Sequence, residues 1–136
     1  DPAARTLTYA SAGHNPPRLK RCGEHELIEL DEARQLPLGI MPAITWEPAV
    51  IDLSPGDQVI FFTDGITEAR GGADGRELFG TDRLDAVMRS CSHGPRQLMD
   101  AVLEAVADFG GGQPADDDRT MVIARVGGED GDDGGD

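Results

Sequence analysis

Apolar and polar residues alternate through Leu7-Thr8-Tyr9-Ala10-Ser11-Ala12, and the run stops at Gly13. A two-residue period of this kind predicts a strand with one face toward a core. Arg18 to Arg21 reads as a second short strand broken at Gly23, and His25-Glu26-Leu27-Ile28-Glu29-Leu30 as a third, together a hairpin or meander. Pro16-Pro17 forces an extended or turning backbone between them. Residues 31 to 44 hold Leu36-Pro37-Leu38-Gly39-Ile40-Met41-Pro42, a loop apolar enough to be expected over the core. Trp46 to Leu53 predicts another strand, and Ser54-Pro55-Gly56-Asp57 a β-turn. Gln58-Val59-Ile60-Phe61-Phe62-Thr63 is then almost continuously apolar, β-branched and aromatic, the pattern of a strand buried on both faces. After a glycine-rich loop expected to be mobile over 71–77, the period changes to that of helices. Leu84, Val87, Met88 and Cys91 recur at helical spacing behind a candidate N-cap at Thr81. Pro95 opens a second helix whose stripe of Leu98, Val102, Leu103, Val106 and Phe109 ends at Gly110-Gly111-Gly112. A last strand spans Thr120 to Val126. Strands, two helices and a strand predict an α+β fold with the helices on one sheet face.

Composition narrows the function. Aromatics are 4% of the 136 residues, so Leu, Ile, Val, Ala and Met must build the core. The net charge of −14 comes with no basic cluster, which argues against nucleic acid and anionic membrane as partners. Five acids lie in residues 127–136, leaving −9 for the rest. A Gly/Asp/Glu run with no apolar residue cannot offset its ordering entropy and predicts a disordered acidic tail. No apolar run approaches the roughly 18 residues of a membrane span, and no signal peptide is visible. The isolated thiols Cys22 and Cys91 fit a reduced, cytoplasmic chain, with a stray disulfide as the minor alternative. The chain begins at Asp1 without a methionine, which points to missing upstream sequence.

Candidate chemistry centres on Asp64, an acid closing the buried apolar run and followed by Gly65. A half-buried carboxylate is costly unless a cation or several donors compensate it. One reading makes Asp64 a turn cap bonded to the amides of Gly65 to Thr67. The other joins it to Asp117, three residues before Thr120 and at the mouth of the last strand. Carboxylates delivered by strand ends suit Mg²⁺ or Mn²⁺, which prefer hard oxygen ligands. Two carboxylates leave such a site incomplete. His14 reads as a turn histidine, His25 and His93 as surface residues, and Trp46 as core or rim. Thr63 and Thr67 are expected to bond the turn backbone, and Glu68 to cap a helix start or pair with Arg70 rather than orient a metal-bound water. No nucleophile elbow, Walker loop, zincin or EF-hand spacing is present.

Five motifs in order carry a resemblance. Leu53-Ser54-Pro55-Gly56-Asp57 running through Thr63-Asp64-Gly65-Ile66-Thr67-Glu68-Ala69 is similar to the signature of SpoIIE/RsbU-like phosphatases, a branch of the PPM-type metal-dependent serine/threonine phosphatases. Ala12-Gly13-His14-Asn15-Pro16-Pro17, Leu36-Pro37-Leu38-Gly39, Phe79-Gly80 with Arg83-Leu84, and Asp117-Asp118-Arg119-Thr120 resemble further elements of that family. The resemblance covers the chain to Val126 and implies part of an α-β-β-α sandwich. It also implies a centre of two Mn²⁺ or Mg²⁺ ions that activates a water against phosphoserine or phosphothreonine. By motif, Asp64 and Asp117 would be catalytic metal ligands, with Asp118 beside them and Gly65 letting backbone pass close to the ion. The implied substrate is a phosphorylated anti-sigma-factor antagonist in stress or developmental signalling. The family's remaining metal aspartates belong to an N-terminal half with no counterpart here, and Gly13-His14-Asn15 does not replace their "G-H-G" motif. Residues 1–126 are therefore expected to be the C-terminal half of the domain. They would be inactive alone and partnered by the upstream half, with sensor domains attached to the whole. A non-catalytic regulatory module of the same fold is the alternative, and a generic acidic cation-binding module a third.

Overall fold

Gln58–Phe62, the most apolar run of the chain, forms the strand around which the other elements are arranged. The computed structural model describes residues 1–21, 23–24, 26–90, 94–112 and 117–127. The expectations for Cys22, His25, Cys91, His93 and the tail beyond residue 127 lie outside them. In chain order the elements are β1 (Thr6–Tyr9), β2 (Ser11–Ala12), β3 (Arg18–Arg21), β4 (Glu26–Glu29), β5 (Arg34–Gln35), β6 (Ala49–Asp52) and β7 (Gln58–Phe62). They continue with α1 (Asp64–Thr67), β8 (Arg70–Gly71), β9 (Glu77–Leu78), α2 (Gly80–Ser90), α3 (Pro95–Phe109) and β10 (Met121–Arg125).

The main sheet has the order β10-β7-β3-β4, antiparallel throughout. Successive residues of β7 point to opposite faces, and each face meets a different layer. Ile60 and Phe62 are buried with Leu84 and Met88 of α2 and Leu98, Val102 and Val106 of α3. Val59 and Leu19 are buried on the other face against Leu7 and Tyr9 of β1 and Ile51 of β6. The β1–β6 pair thus forms a second, smaller sheet, giving three layers in the order helices, sheet, sheet. Each side chain so enclosed contributes about 1.5–3 kcal/mol relative to exposure. Buried Arg18 ties helix to sheet: its Nε donates to Asp85 of α2 at 2.9 Å and its guanidinium lies 5.6 Å from the Phe62 ring centre.

The α+β order of strands, two helices and a final strand is as the hydrophobic pattern predicts, and so are the β3–β4 hairpin and the Pro95 start of α3. Several expectations are corrected. The loop over 31–44 does not cover the core: Leu36, Leu38, Ile40 and Met41 are all exposed, and only Ala33 is buried there. Helix α2 begins at Gly80, so Thr81 lies inside its first turn rather than at the cap. Leu103 leaves the apolar stripe of α3 and is 45% exposed, because a 100° step per residue carries it off the face shared by Leu98, Val102 and Val106. Phe61 is exposed at 37%, on the face where its cross-strand partner Val122 is also open; β1–β6 does not extend over them. The glycine-rich segment closes as a small β8–β9 hairpin, with the Gly75 amide donating to the Gly72 carbonyl at 3.2 Å. Strand β6 occupies only the second half of the run predicted from Trp46.

Candidate functional site

Antiparallel pairing of β7 with β10 sets the end of the first beside the start of the second. Asp64, just past β7, and Asp117 and Asp118, just ahead of β10, are thereby delivered to one end of the sheet. Thr63 locks this junction. Its amide donates to the Thr120 carbonyl at 3.0 Å, and its hydroxyl accepts from the Thr120 amide at 3.0 Å.

The chain then makes one helical turn, α1, where a plain turn was expected. Thr63 is the extended residue before it, and the Ile66 amide donates to the Thr63 carbonyl at 3.1 Å. The Glu68 amide and the Thr67 hydroxyl donate to the Asp64 carbonyl at 2.7 and 3.3 Å, so Thr67 bonds the turn as its sequence context suggests. Backbone carbonyls therefore do the capping. The Asp64 carboxylate is not the acceptor that the turn-cap reading requires, and its residue is exposed.

Gly65 is buried, and a Cβ placed on it would overlap the Asp118 carbonyl oxygen. The absent side chain lets the loop before β10 pack directly on α1. Arg119 reinforces the contact, donating from Nε to the Gly65 carbonyl at 3.3 Å. Asp117 and Asp118 are both exposed, and one Asp117 carboxylate oxygen accepts the Asp118 amide at 2.8 Å. Asp64 and Asp117 line neighbouring concavities rather than a single one. Asp64 lies in a hollow of about 190 Å³ with Thr63, His14, Asn15 and Glu68. Asp117 lines one of about 300 Å³ with Gly65, Arg70, Arg119 and Glu68. Glu68 belongs to both and marks the ridge between them.

The donors at this end are carboxylate oxygens, the set Mg²⁺ and Mn²⁺ select. On their own they fall short of a centre. Among the described residues no group of three or more His, Cys, Asp or Glu side chains is arranged to hold an ion. His14, read from sequence as a turn residue, is carried to the hollow by a pinned turn. Gly13 has φ +84°, a Cβ on it would overlap Pro37, and Pro16 and Pro17 are buried. The sequence assigns no site role to Arg70 or Arg119, which the structure sets beside Asp117. The available signal was their place, one immediately after the first acidic motif and one inside the second, in a chain with more than twice as many acids as Lys and Arg.

The sequence profile of the family described as Stage II sporulation protein E (SpoIIE) matches residues 1–127. Phosphoserine phosphatase RsbU of Bacillus subtilis (strain 168) is 38% identical over 121 residues, covering 88% of this chain and 34% of RsbU. Among solved structures, the SiaA-PP2C domain of Pseudomonas aeruginosa superposes with a TM-score of 0.72 at 28% identity, covering 89% of this chain and 46% of that one. A manganese-presoaked SpoIIE phosphatase domain from Bacillus subtilis shares the fold, with a TM-score of 0.68 at 22% identity over 93% of this chain and 53% of that one. The chain thus spans about a third of RsbU and about half of the phosphatase domains it matches. With helices and β1–β6 sheet packed on opposite faces of the main sheet and both acidic motifs at one end of it, this chain belongs to the SpoIIE family of PPM-type serine/threonine phosphatase domains.

Proposed function

We propose that the protein containing this chain hydrolyses phosphoserine or phosphothreonine on a protein substrate, with Asp64 and Asp117 supplying ligands to a divalent-cation centre. The observation that carries this reading is the locked junction of β7 and β10. Two acidic segments far apart in sequence are held side by side by the Thr63–Thr120 hydrogen bonds and the Gly65–Asp118 contact. Such a junction gathers like charge at one end of the sheet, an arrangement that suits a cation gripped there. Bound Mn²⁺ or Mg²⁺ would neutralise charge developing on the phosphoryl oxygens and activate water for attack. The chain's own part is positional. Thr63 fixes where Asp64 leaves the sheet, Gly65 lets the second loop approach, and the Asp118 amide orients the Asp117 carboxylate.

Residues 1–126 form the C-terminal half of the complete domain, the other half bringing the remaining acidic ligands. Two features support this: the chain's coverage of only 46% and 53% of matched phosphatase domains, and the apolar Phe61–Val122 face open on the main sheet. Kinship with a phosphoserine phosphatase favours a phosphoserine protein as the substrate, and the motif resemblance implies that it is an anti-sigma-factor antagonist. The test is Asp64→Asn in the full-length protein assayed with Mn²⁺ on a phosphoserine protein. Loss of a ligand charge at unchanged shape should cut turnover at least a hundredfold, roughly 2.7 kcal/mol in the barrier, with the far-UV spectrum intact. Undiminished turnover would remove Asp64 from the centre. Selective binding of the phosphoprotein without hydrolysis by the wild type would favour the regulatory alternative.

A further inference from the structure

Beside the two acidic hollows lies a cavity of different character. It has a volume of about 530 Å³ and is walled by the β8–β9 hairpin, the C-terminal end of α3 and Arg119. The wall on the hairpin side is flat by necessity. A Cβ on Gly71 would overlap the Phe109 carbonyl, and the Gly72 amide donates to the same carbonyl at 3.3 Å. Phe109 is held from behind by Arg83, whose guanidinium lies 4.6 Å from the ring centre and pairs with Glu77 at 3.1 Å. Arg70 and Arg119 line this cavity and also the hollow that contains Asp117, so the two spaces meet at the arginines. Asp74 is the sole acid among its described lining residues, which leaves the cavity net positive on a chain of charge −14.

We propose that this cavity is a subsite for a carboxylate side chain of the substrate, an Asp or Glu within a few residues of the phosphorylated serine or threonine. The inference rests on the phosphatase reading only for the location of the phosphoryl group at Asp117. A chain this acidic repels acidic substrates at long range, so acceptance of one needs a local cationic contact. A guanidinium is the side chain suited to a carboxylate, because its planar fork matches the two oxygens. Arg119 is held in place by its Nε–H bond to Gly65, one of five N–H donors on that group, which orients the fork beside the Asp117 hollow. The side-chain-free wall at Gly71 and Gly72 allows a peptide backbone to approach closely.

The test compares two fluorescent phosphoserine peptides on the full-length protein, one with Glu flanking the phosphoserine and one with Gln at the same places. Affinity is read by anisotropy, so the result does not depend on turnover. Wild type should bind the Glu peptide about tenfold more tightly, a gap that narrows as salt rises. Arg70→Ala with Arg119→Ala should abolish that preference, bringing the Glu and Gln peptides to equal affinity, with an unchanged far-UV spectrum reporting an intact fold. Lysine at both positions should restore part of it. Arg96→Ala, which removes an arginine at the other end of α3 and roughly 20 Å along the helix, should retain the preference. An equal affinity for both peptides in the wild type, or an equal loss for both in the double variant, overturns the subsite. Preference without hydrolysis would instead overturn the catalytic reading and leave the subsite standing.

Discussion

Gly65 is packed with its Cα against the Asp118 carbonyl, so a methyl group there must displace backbone rather than a pliant side chain. Overpacking of that kind costs about 1–3 kcal/mol. Gly65→Ala should therefore lower the unfolding free energy read from urea denaturation by that amount and separate the two acidic loops. Gly23→Ala, where an added Cβ meets nothing, should stay within about 0.5 kcal/mol. Contact between protein segments is thus one reason for the glycine, beside the passage near an ion that the motif implies. A second residue-scale effect concerns pH. Burial pushes the Tyr9 phenol above its ordinary value of 10.0, and the nearby Glu32 and Asp31 carboxylates push it further. The folded state then keeps the proton that the unfolded chain begins to lose near that pH. Its stabilising contribution is complete below the unfolded value and disappears as pH rises through the folded one. Tyr9→Phe should flatten the decline in stability on the alkaline side, while the neutral range falls only by the lost hydrogen bond with the Glu32 backbone, about 1 kcal/mol, as thermal unfolding followed from pH 7 to 11 would report.

At the scale of elements, α3 separates what periodicity encodes from what it leaves open. Leu98 is fully buried among the residues beneath the sheet, whereas Leu103 is 45% exposed. Leu98→Ala should cost roughly 2–5 kcal/mol because it removes packed atoms and leaves a cavity. Leu103→Ala should cost less than about 1 kcal/mol, and equal losses in urea denaturation would refute the assigned face. The sequence spells out the start of α3 through Pro95, its end through the glycines and most of its buried stripe, because these are local signals. Strand β7 is legible for the same reason, its apolar run being dense enough to identify without partners. The loop over 31–44 defeats the same logic, because apolar content says that surface wants covering, not that the cover is in the same segment. Asp64 and Asp117 are legible as candidates from their places at strand ends. The adjoining arginines are not, since their cavity exists only once β8–β9 folds against α3, a pairing no local pattern announces.

For the molecule as a whole, the unevenness of burial is the informative feature. Among the described residues, ten buried side chains close the helical face of the main sheet, whereas the opposite face closes around Leu19, Leu30 and Val59 and stays open at Phe61 and Val122. These two lie directly across β7 and β10 from each other, each two residues from the Thr63–Thr120 lock. The open apolar face and the acidic junction therefore occupy the same end of the sheet. Under the proposed function, in which the other half of the domain covers Phe61 and Val122, that half would stand next to Asp64, in the position from which further acidic ligands could reach a shared ion. Coverage of the face and completion of the metal centre become one event under this arrangement. The 136-residue chain by itself should then turn over a phosphoserine peptide in Mn²⁺ at less than about a hundredth of the full-length rate. In the full-length protein, Phe61→Asp should lower both stability and apparent Mn²⁺ affinity, since a charge at that contact opposes closure. Isothermal titration with Mn²⁺ on wild type and variant, beside their urea curves, distinguishes this from simple unfolding: a stability loss with unaltered Mn²⁺ affinity would show that the face and the centre are independent.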